Sequence, residues 1–264
     1  MRILNKIAMN SEDAKNIKNI RIDILDMIYK AKEGHIASSF SVVELLYAIY
    51  SGMGKNDSFF LSKGHASAAL FAVLAHFGHI DRKELDGYCK YDSRLGGHPH
   101  RFSDMIMSST GSLGHGFPMA AGYALAKKIK NEPGRVFCII GDGETNEGSV
   151  WETAMYAEQL GLSNLICIID DNNSQVRAKT SINLKEKFAA FGWRVVGING
   201  HDVAEIRNAL FSPDSSSSSV PYCVVAKTTK GKGVKQIESD MFSWHHKAPT
   251  EAELAEFKKE ILSS

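Results

Sequence analysis

The chain has 264 residues, 44% of them hydrophobic and 23% charged, which is the balance of a folded globular protein and excludes a disordered one. Lys and Arg number 31 against 30 Asp and Glu, a net charge of +1, so no overall field recruits nucleic acid or an anionic membrane. No apolar run approaches the ~20 residues that span a bilayer. The first sixteen residues lack the apolar core and small-residue cleavage site of a secretory signal, so the expected compartment is the cytoplasm. Cys89, Cys138, Cys167 and Cys223 form no C-x-x-C pair and read as free thiols, three of them in apolar strand-like runs.

Taken in chain order, Ile17, Ile20, Ile24, Met27, Ile28 and Ala31 recur at helical spacing, and Gly34 supplies a stop. Ser41-Val42-Val43-Glu44 has capping-box spacing and predicts a second helix, and Asp81-Arg82-Lys83-Glu84 predicts another start. Four β-rich runs follow, Arg135–Ile140, Leu165–Asp170, Trp193–Ile198 and Tyr222–Ala226. Helical stretches near Gly148–Leu160, Leu184–Phe191 and Asp202–Phe211 separate them. The Ser215–Ser219 run reads as a surface loop, and Thr250 to Glu253 caps a last amphipathic helix through Leu254, Phe257 and Ile261. The fold class expected is α/β, a doubly wound parallel sheet with helices on both faces. Residues 1–264 are expected to form one domain, with a helical approach over about 1–130 and a lid plus helix over about 227–264.

Ligands of such sheets gather at the C-terminal ends of strands, and two of those ends carry unusual residues. One strand runs into Gly141-Asp142-Gly143-Glu144, the next into Asp170-Asp171-Asn172-Asn173. Flanking glycines let the backbone turn and approach an anion while the Asp142 carboxylate projects from a rigid strand end. A carboxylate, an amide oxygen and a backbone carbonyl leave room around an octahedral Mg²⁺ for ligand oxygens and water. Alone, each segment is a turn or a solvated loop. Together, about thirty residues apart, they resemble the diphosphate–Mg²⁺ signature of thiamine diphosphate enzymes. No G-x-G-x-x-G is present, so a dinucleotide fold lacks its fingerprint.

Four more segments narrow the resemblance: Gly34-His35, Ser62-Lys63-Gly64-His65-Ala66-Ser67, Gly97-His98-Pro99 and Thr110-Gly111-Ser112-Leu113-Gly114-His115-Gly116. In order and spacing, from about residue 15 to about 247, the chain resembles the N-terminal, diphosphate-binding half of transketolase. The resemblance implies thiamine diphosphate and Mg²⁺, or another divalent cation such as Ca²⁺, as cofactors. Asp142 and Asn172 then resemble metal ligands, with the Ser174 carbonyl as a third. Gly141, Gly143 and Glu144 belong to the diphosphate loop. His65 and His245 resemble the histidines that flank the diphosphate and the reacting carbon. His35 and His98 resemble those that hydrogen-bond the substrate carbonyl and C1 hydroxyl. Gly111, Ser112 and Leu113 match the loop beneath the aminopyrimidine. Imidazole suits such work because its ordinary pKa lies near neutrality. Glu147 and Glu152 match a carboxylate pair at the interface between protomers, implying a proton-relay role for Glu147. His76, His79, His100 and His201 read as surface or satisfied core residues.

What the resemblance lacks is the pyrimidine-binding half, with the carboxylate that activates the cofactor. A separate C-terminal transketolase subunit is therefore expected to supply it, in an α2β2 heterotetramer acting on sugars or sugar phosphates. The implied reaction transfers a two-carbon ketol unit from a ketose to an aldose. The rival enzymatic reading is the α subunit of a 2-oxoacid dehydrogenase E1 component, against which the histidine set argues. A non-catalytic cofactor-binding module is the rival from another class. The match departs at Ile36-Ala37-Ser38, where Pro-Gly is usual, at Ser112 and His115, along Asn173–Thr180, and at His246, where Gly is typical. These departures bear on the sugar channel more than on the metal site.

Overall fold

The computed structural model describes residues 11–177, 183–212 and 219–264. Helix α1 (Ser11–Ala31) buries Ile17, Ile20, Ile24, Met27 and Ile28 along the expected stripe. It ends before Gly34, whose φ of +143° and approach to Ile28 leave no room for a side chain, since a Cβ there would lie 2.8 Å from Ile28 Cγ1. A short helix α2 (Ile36–Phe40) and α3 (Val43–Gly52) follow. Ser41 does not cap α3 as its spacing predicts. The cap position is Val42 without a side-chain bond, and Ser41 Oγ turns inward to Asp170 Oδ2 at 2.7 Å. A buried carboxylate outcompetes a helix terminus for that hydroxyl.

Strand β1 (Ser58–Leu61) interrupts what the sequence suggests is a purely helical approach. Four residues, all buried and with no polar alternation, are too short for periodicity to distinguish from a loop. Asp81 does form a capping box with Glu84, but it opens a 3₁₀ turn, Arg82–Gly87, that follows α4 (Ser67–His76). Beyond α5 (Gly116–Ile129) come β2 (Val136–Gly141), α6 (Gly148–Gln159), β3 (Leu165–Asp171), α7 (Leu184–Ala190), β4 (Arg194–Asn199), α8 (Val203–Phe211) and β5 (Tyr222–Lys227). Helices α9 (Lys235–Ser239) and α10 (Glu251–Ser263) complete the described elements, the latter with the Thr250–Glu253 capping box expected. Most of the Ser215–Ser219 loop lies outside the described residues, as do residues 178–182 of the departing segment.

The five strands are parallel, in the order β1-β2-β3-β5-β4. Alternate residues feed two separate cores. Phe137, Ile139, Ile166, Ile168 and Val224 join α1, α3, α4 and α8 on one face. Cys138, Ile140, Cys167, Ile169 and Cys223 join α5, α6 and α7 on the other. Chain direction and handedness agree. The crossovers from β2 through α6 and β3 through α7 advance across the sheet on one face, while the step back from β4 to β5 uses α8 on the opposite face. Right-handed crossovers require that exchange of faces. The sheet is thus doubly wound and covered on both sides. Cys138, Cys167 and Cys223 are buried free thiols and Cys89 is half-buried. No helix among the described residues is long and apolar enough to cross a membrane.

Candidate active site

The C-terminal tips of β2, β3 and β5 open onto a cleft of about 470 Å³ whose lining includes His65, Leu113, Asp142, Asn172, Lys230 and His245. Behind it stands a buried polar cluster centred on Asp170, the last-but-one residue of β3. The Asp170 carboxylate accepts from Lys63 Nζ, from Thr228 Oγ1, from Ser41 Oγ at 2.7 Å and from Asn172 Nδ2 at 2.8 Å. Lys63 and Asp170 are a fully buried ion pair. With its NH₂ group committed to Asp170, the Asn172 amide has one orientation, and its Oδ1 is fixed as an acceptor. That oxygen takes hydrogen bonds from Ser174 N at 3.1 Å and from Ser174 Oγ. Asn173, between them, sits at φ 63°, a left-handed conformation that Asn tolerates.

Asp142 is 1% exposed, and its Oδ1 and Oδ2 accept from Gly143 N at 2.8 Å and Gln175 N at 3.3 Å. Burial, and then the neighbouring Asp170 charge, push its carboxyl up to about 6. A carboxylate held in a buried site with too little positive charge is an oxygen donor suited to a cation. The N–H of Gly143, in the loop that resembles a diphosphate-binding one, is taken up by the Asp142 side chain. Asp142, Asn172 and Ser174 stand together as hard oxygen donors, so the donor set fits a divalent ion.

Lys230 belongs to none of the sequence motifs. Its Nζ donates to Ser174 Oγ at 3.2 Å and lies 3.3 Å from His245 Nδ1. Burial and the nearby Lys63 charge pull it down to about 8. A signal for it is present in the sequence, since Thr228-Thr229-Lys230-Gly231 is a third strand tip on the same sheet edge. Lys63 and His246 also line the cleft.

Glu144 has another role than its neighbours in the loop. Its buried carboxylate accepts from Ser62 Oγ, from Gly114 N at 2.8 Å and from Gly141 N at 3.2 Å, joining three segments. Burial raises its pKa. Gly114 is required at the turn, at φ +77° with a Cβ position only 2.6 Å from Glu147 Cβ. Leu113 reaches the cleft, while Gly111 and Ser112 are exposed and do not line it.

The four motif histidines converge. The His35 ring centroid lies 5.4 Å from that of His65, 6.2 Å from His98 and 5.1 Å from His245. Gly64 permits this crowding, since a Cβ there would lie 2.7 Å from Thr110 Oγ1 and 3.2 Å from His98 Cδ2. Near-neutral titration does not survive the enclosure. Burial, joined by the charges of His246, His245 and His98, brings His35 down to about 3. Burial with the adjacent Lys230 brings His245 to about 4. His65 is pushed well below its ordinary value, and His98 is lowered, both chiefly by burial. At neutral pH these are uncharged imidazoles, each with one N–H able to donate and one bare ring nitrogen able to accept. Glu147 and Glu152 lie outside the cleft, exposed at and near the start of α6. His201 is a satisfied structural residue between Glu44 Oε2, at 3.1 Å, and Thr229 N, at 2.8 Å.

The same arrangement of segments recurs in known proteins. The family model described as transketolase, thiamine diphosphate binding domain, matches residues 12–262. The chain is 34% identical over 253 residues to one of the subunits of the apulose-4-phosphate transketolase from Phocaeicola vulgatus, covering 90% of this chain and 89% of that one. It is 36% identical over 260 residues to the 6-deoxy-6-sulfo-D-fructose transketolase subunit SqwG of a Clostridium species, covering 91% and 94%. The crystal structure of Campylobacter jejuni transketolase superposes with a TM-score of 0.85 at 29% identity, over 96% of this chain and 43% of that one. The chain belongs to the transketolase N-terminal, thiamine diphosphate-binding domain family.

Proposed function

We propose that this chain is the diphosphate-binding subunit of a two-chain transketolase, moving a two-carbon ketol unit from a ketose to an aldose. The observation that carries the reading is convergence. An oxygen-donor set at the tips of β2 and β3 lines one cleft with His65 and His245, while the His35 ring lies 5.4 Å from His65 and the His98 ring 6.2 Å from His35, in a chain similar along nearly its whole length to proteins named as transketolase subunits. In this reading Asp142, Asn172 and the Ser174 carbonyl would hold Mg²⁺, which would supply positive charge for a diphosphate. Both lone pairs of Asn172 Oδ1 are engaged by Ser174. To offer that oxygen to a metal, Asn172 would have to release the Ser174 hydroxyl, which has Lys230 Nζ as its other partner. Lys230 and His245 supply positive charge and a hydrogen bond to the diphosphate, and Leu113 supports the ring system.

When bound, thiamine diphosphate supplies the nucleophilic carbon and the electron sink for breaking the ketose C2–C3 bond. The protein's part is orientation, proton handling and exclusion of water. His35 and His98 bind the ketose carbonyl and C1 hydroxyl, and His65 and His245 flank the reacting carbon. An uncharged imidazole can donate its N–H to an oxygen as negative charge develops there, then accept a proton at its other nitrogen. The Asp170 cluster acts earlier in the sequence of events by fixing the Asn172 amide.

Activation of the cofactor is assigned to a partner subunit bearing the pyrimidine-binding half, in an α2β2 assembly. The exposed Met119 on α5, Met155 and Tyr156 on α6 and Leu160 at its C-terminal end give the contact face, and Glu147 and Glu152 are the proton-relay pair. The substrates are sugars or sugar phosphates, and the site works in the cytoplasm. The test is reconstitution of this chain with its companion subunit, thiamine diphosphate and Mg²⁺. Ketol transfer should require both chains. Pyruvate decarboxylation without ketol transfer would instead select the 2-oxoacid dehydrogenase reading, and cofactor binding with no turnover would select the binding module.

A further inference from the structure

His246 adds an imidazole that none of the roles above uses, and it completes a compact trio. Ring centroids of His35 and His246 are 4.2 Å apart, those of His245 and His246 4.8 Å, and those of His35 and His245 5.1 Å. One ring nitrogen from each residue lies within 4.8 Å of the other two. His35 Nδ1 is shut off from solvent and has no hydrogen-bond partner. An enclosed ring nitrogen without a partner is costly, and a lone pair there is open to a cation. We propose that His35, His245 and His246 form a second metal site, selective for Zn²⁺ and other first-row transition ions and distinct from the oxygen site at Asp142 and Asn172.

Ligand chemistry separates the two. Imidazole suits Zn²⁺, Co²⁺, Ni²⁺ and Cu²⁺, whereas Mg²⁺ demands oxygen and gives up water reluctantly. Three protein nitrogens with a fourth position open to the cleft is the arrangement of an accessible zinc site. Zn–N bonds of ~2.0–2.1 Å place tetrahedral nitrogens about 3.3 Å apart, so each ring closes inward by about 1 Å. The chain can make that movement at His246, which is exposed, on a turn anchored by buried Trp244 packed 5.2 Å from the Phe257 ring. Lys230, 3.3 Å from His245 Nδ1, is a competing charge, and it retains Ser174 Oγ as a partner when His245 turns to the metal.

A functional consequence rests on the transketolase reading, though the metal site itself does not. A nitrogen bound to metal can neither donate nor accept a proton, so a filled trio takes His35 and His245 out of the reaction. Zn²⁺ is then a reversible inhibitor that competes with sugar.

The test titrates Co²⁺ into the full chain under millimolar Mg²⁺, following the visible ligand-field bands that report tetrahedral nitrogen coordination. One Co²⁺ per chain is expected, displaced by Zn²⁺ and unaffected by Asp142→Ala. His246→Gly and His35→Gln should each weaken Co²⁺ by at least ~100-fold, more than the loss of a supporting hydrogen bond costs. Competition by Mg²⁺, loss of the bands in Asp142→Ala, or wild-type Co²⁺ affinity in His246→Gly overturns the site. In the reconstituted pair, His246→Gly should raise the Zn²⁺ concentration for half-inhibition at least tenfold. A pair that binds Co²⁺ as described but, once freed of transition metal and supplied with Mg²⁺ and thiamine diphosphate, transfers no ketol unit overturns the functional reading and leaves the metal site standing.

Discussion

Lys63 and Asp170 form an ion pair with side chains 1% and 0% exposed, and the same carboxylate fixes the amide of Asn172. The pair thus connects the stability of the sheet edge to the direction of an oxygen in the cleft. Removing one partner leaves a buried charge without compensation, which costs about 3–5 kcal/mol. Asp170→Asn should therefore lower unfolding free energy by that amount in denaturant titrations. Lys63→Met combined with Asp170→Asn should cost less than the sum of the two single changes, because no unpaired charge remains.

Asp142→Ala should abolish Mg²⁺-dependent retention of thiamine diphosphate, read by calorimetry with the metal in excess. Retained micromolar binding would remove the oxygen site from the reading. The fold should persist, since the carboxylate makes only two hydrogen bonds, one to the adjacent Gly143 N–H and a long one of 3.3 Å to Gln175 N.

Lys230→Met tests the residue that the motifs do not reveal. Hydrogen bonds to charged groups contribute about 1.5–3 kcal/mol, so cofactor affinity should fall by roughly 10–100-fold. Folding stability should hold or rise, because a half-paired buried amine is replaced by an apolar chain of similar length. Unchanged cofactor affinity would assign Lys230 to structure alone.

His98→Ala should spare cofactor binding and slow ketol transfer in the reconstituted pair by ~10²-fold or more, the loss typical of a proton-transfer or orienting group. A matching loss of thiamine diphosphate affinity would place His98 at the cofactor and not at the sugar.

Acid sensitivity has a specific source in Glu44. Burial alone would raise its carboxyl, but the Arg21 guanidinium and the His201 ring overcome this and hold it at about 2. The folded pKa lies below the ordinary carboxylate value of 4.5, so the unfolded chain binds the proton first as pH falls. The stability from this residue is fully present above about pH 5 and is lost progressively toward pH 2. Glu44→Gln should lower the melting temperature at pH 7 and flatten its decline between pH 5 and pH 3. An unchanged slope would move the acid response elsewhere.

Much of the molecule is legible in its residues. The long helices and four of the strands follow from apolar spacing, and His35, His65 and His98 from motifs in which a glycine precedes each histidine. Strand β1 escapes because four buried residues show no period. Ser41 misleads because its cap pattern is local, whereas its partner Asp170 lies 129 positions away. Lys230 escapes because a lysine after a strand is ordinarily solvated, and only the fold puts it against Ser174 and His245. The depressed histidine pKa values cannot be read from the sequence at all, since they come from mutual enclosure.

Glu144 clasps Ser62, Gly114 and Gly141 with a single carboxylate. The tip of β2 and the turn leading into α5 are thereby riveted at a constant spacing, as the jaws of a calliper are. The glycine-rich loop after β2 therefore cannot shift without carrying the Gly111–Gly114 turn with it, and a change at either end is felt at the other.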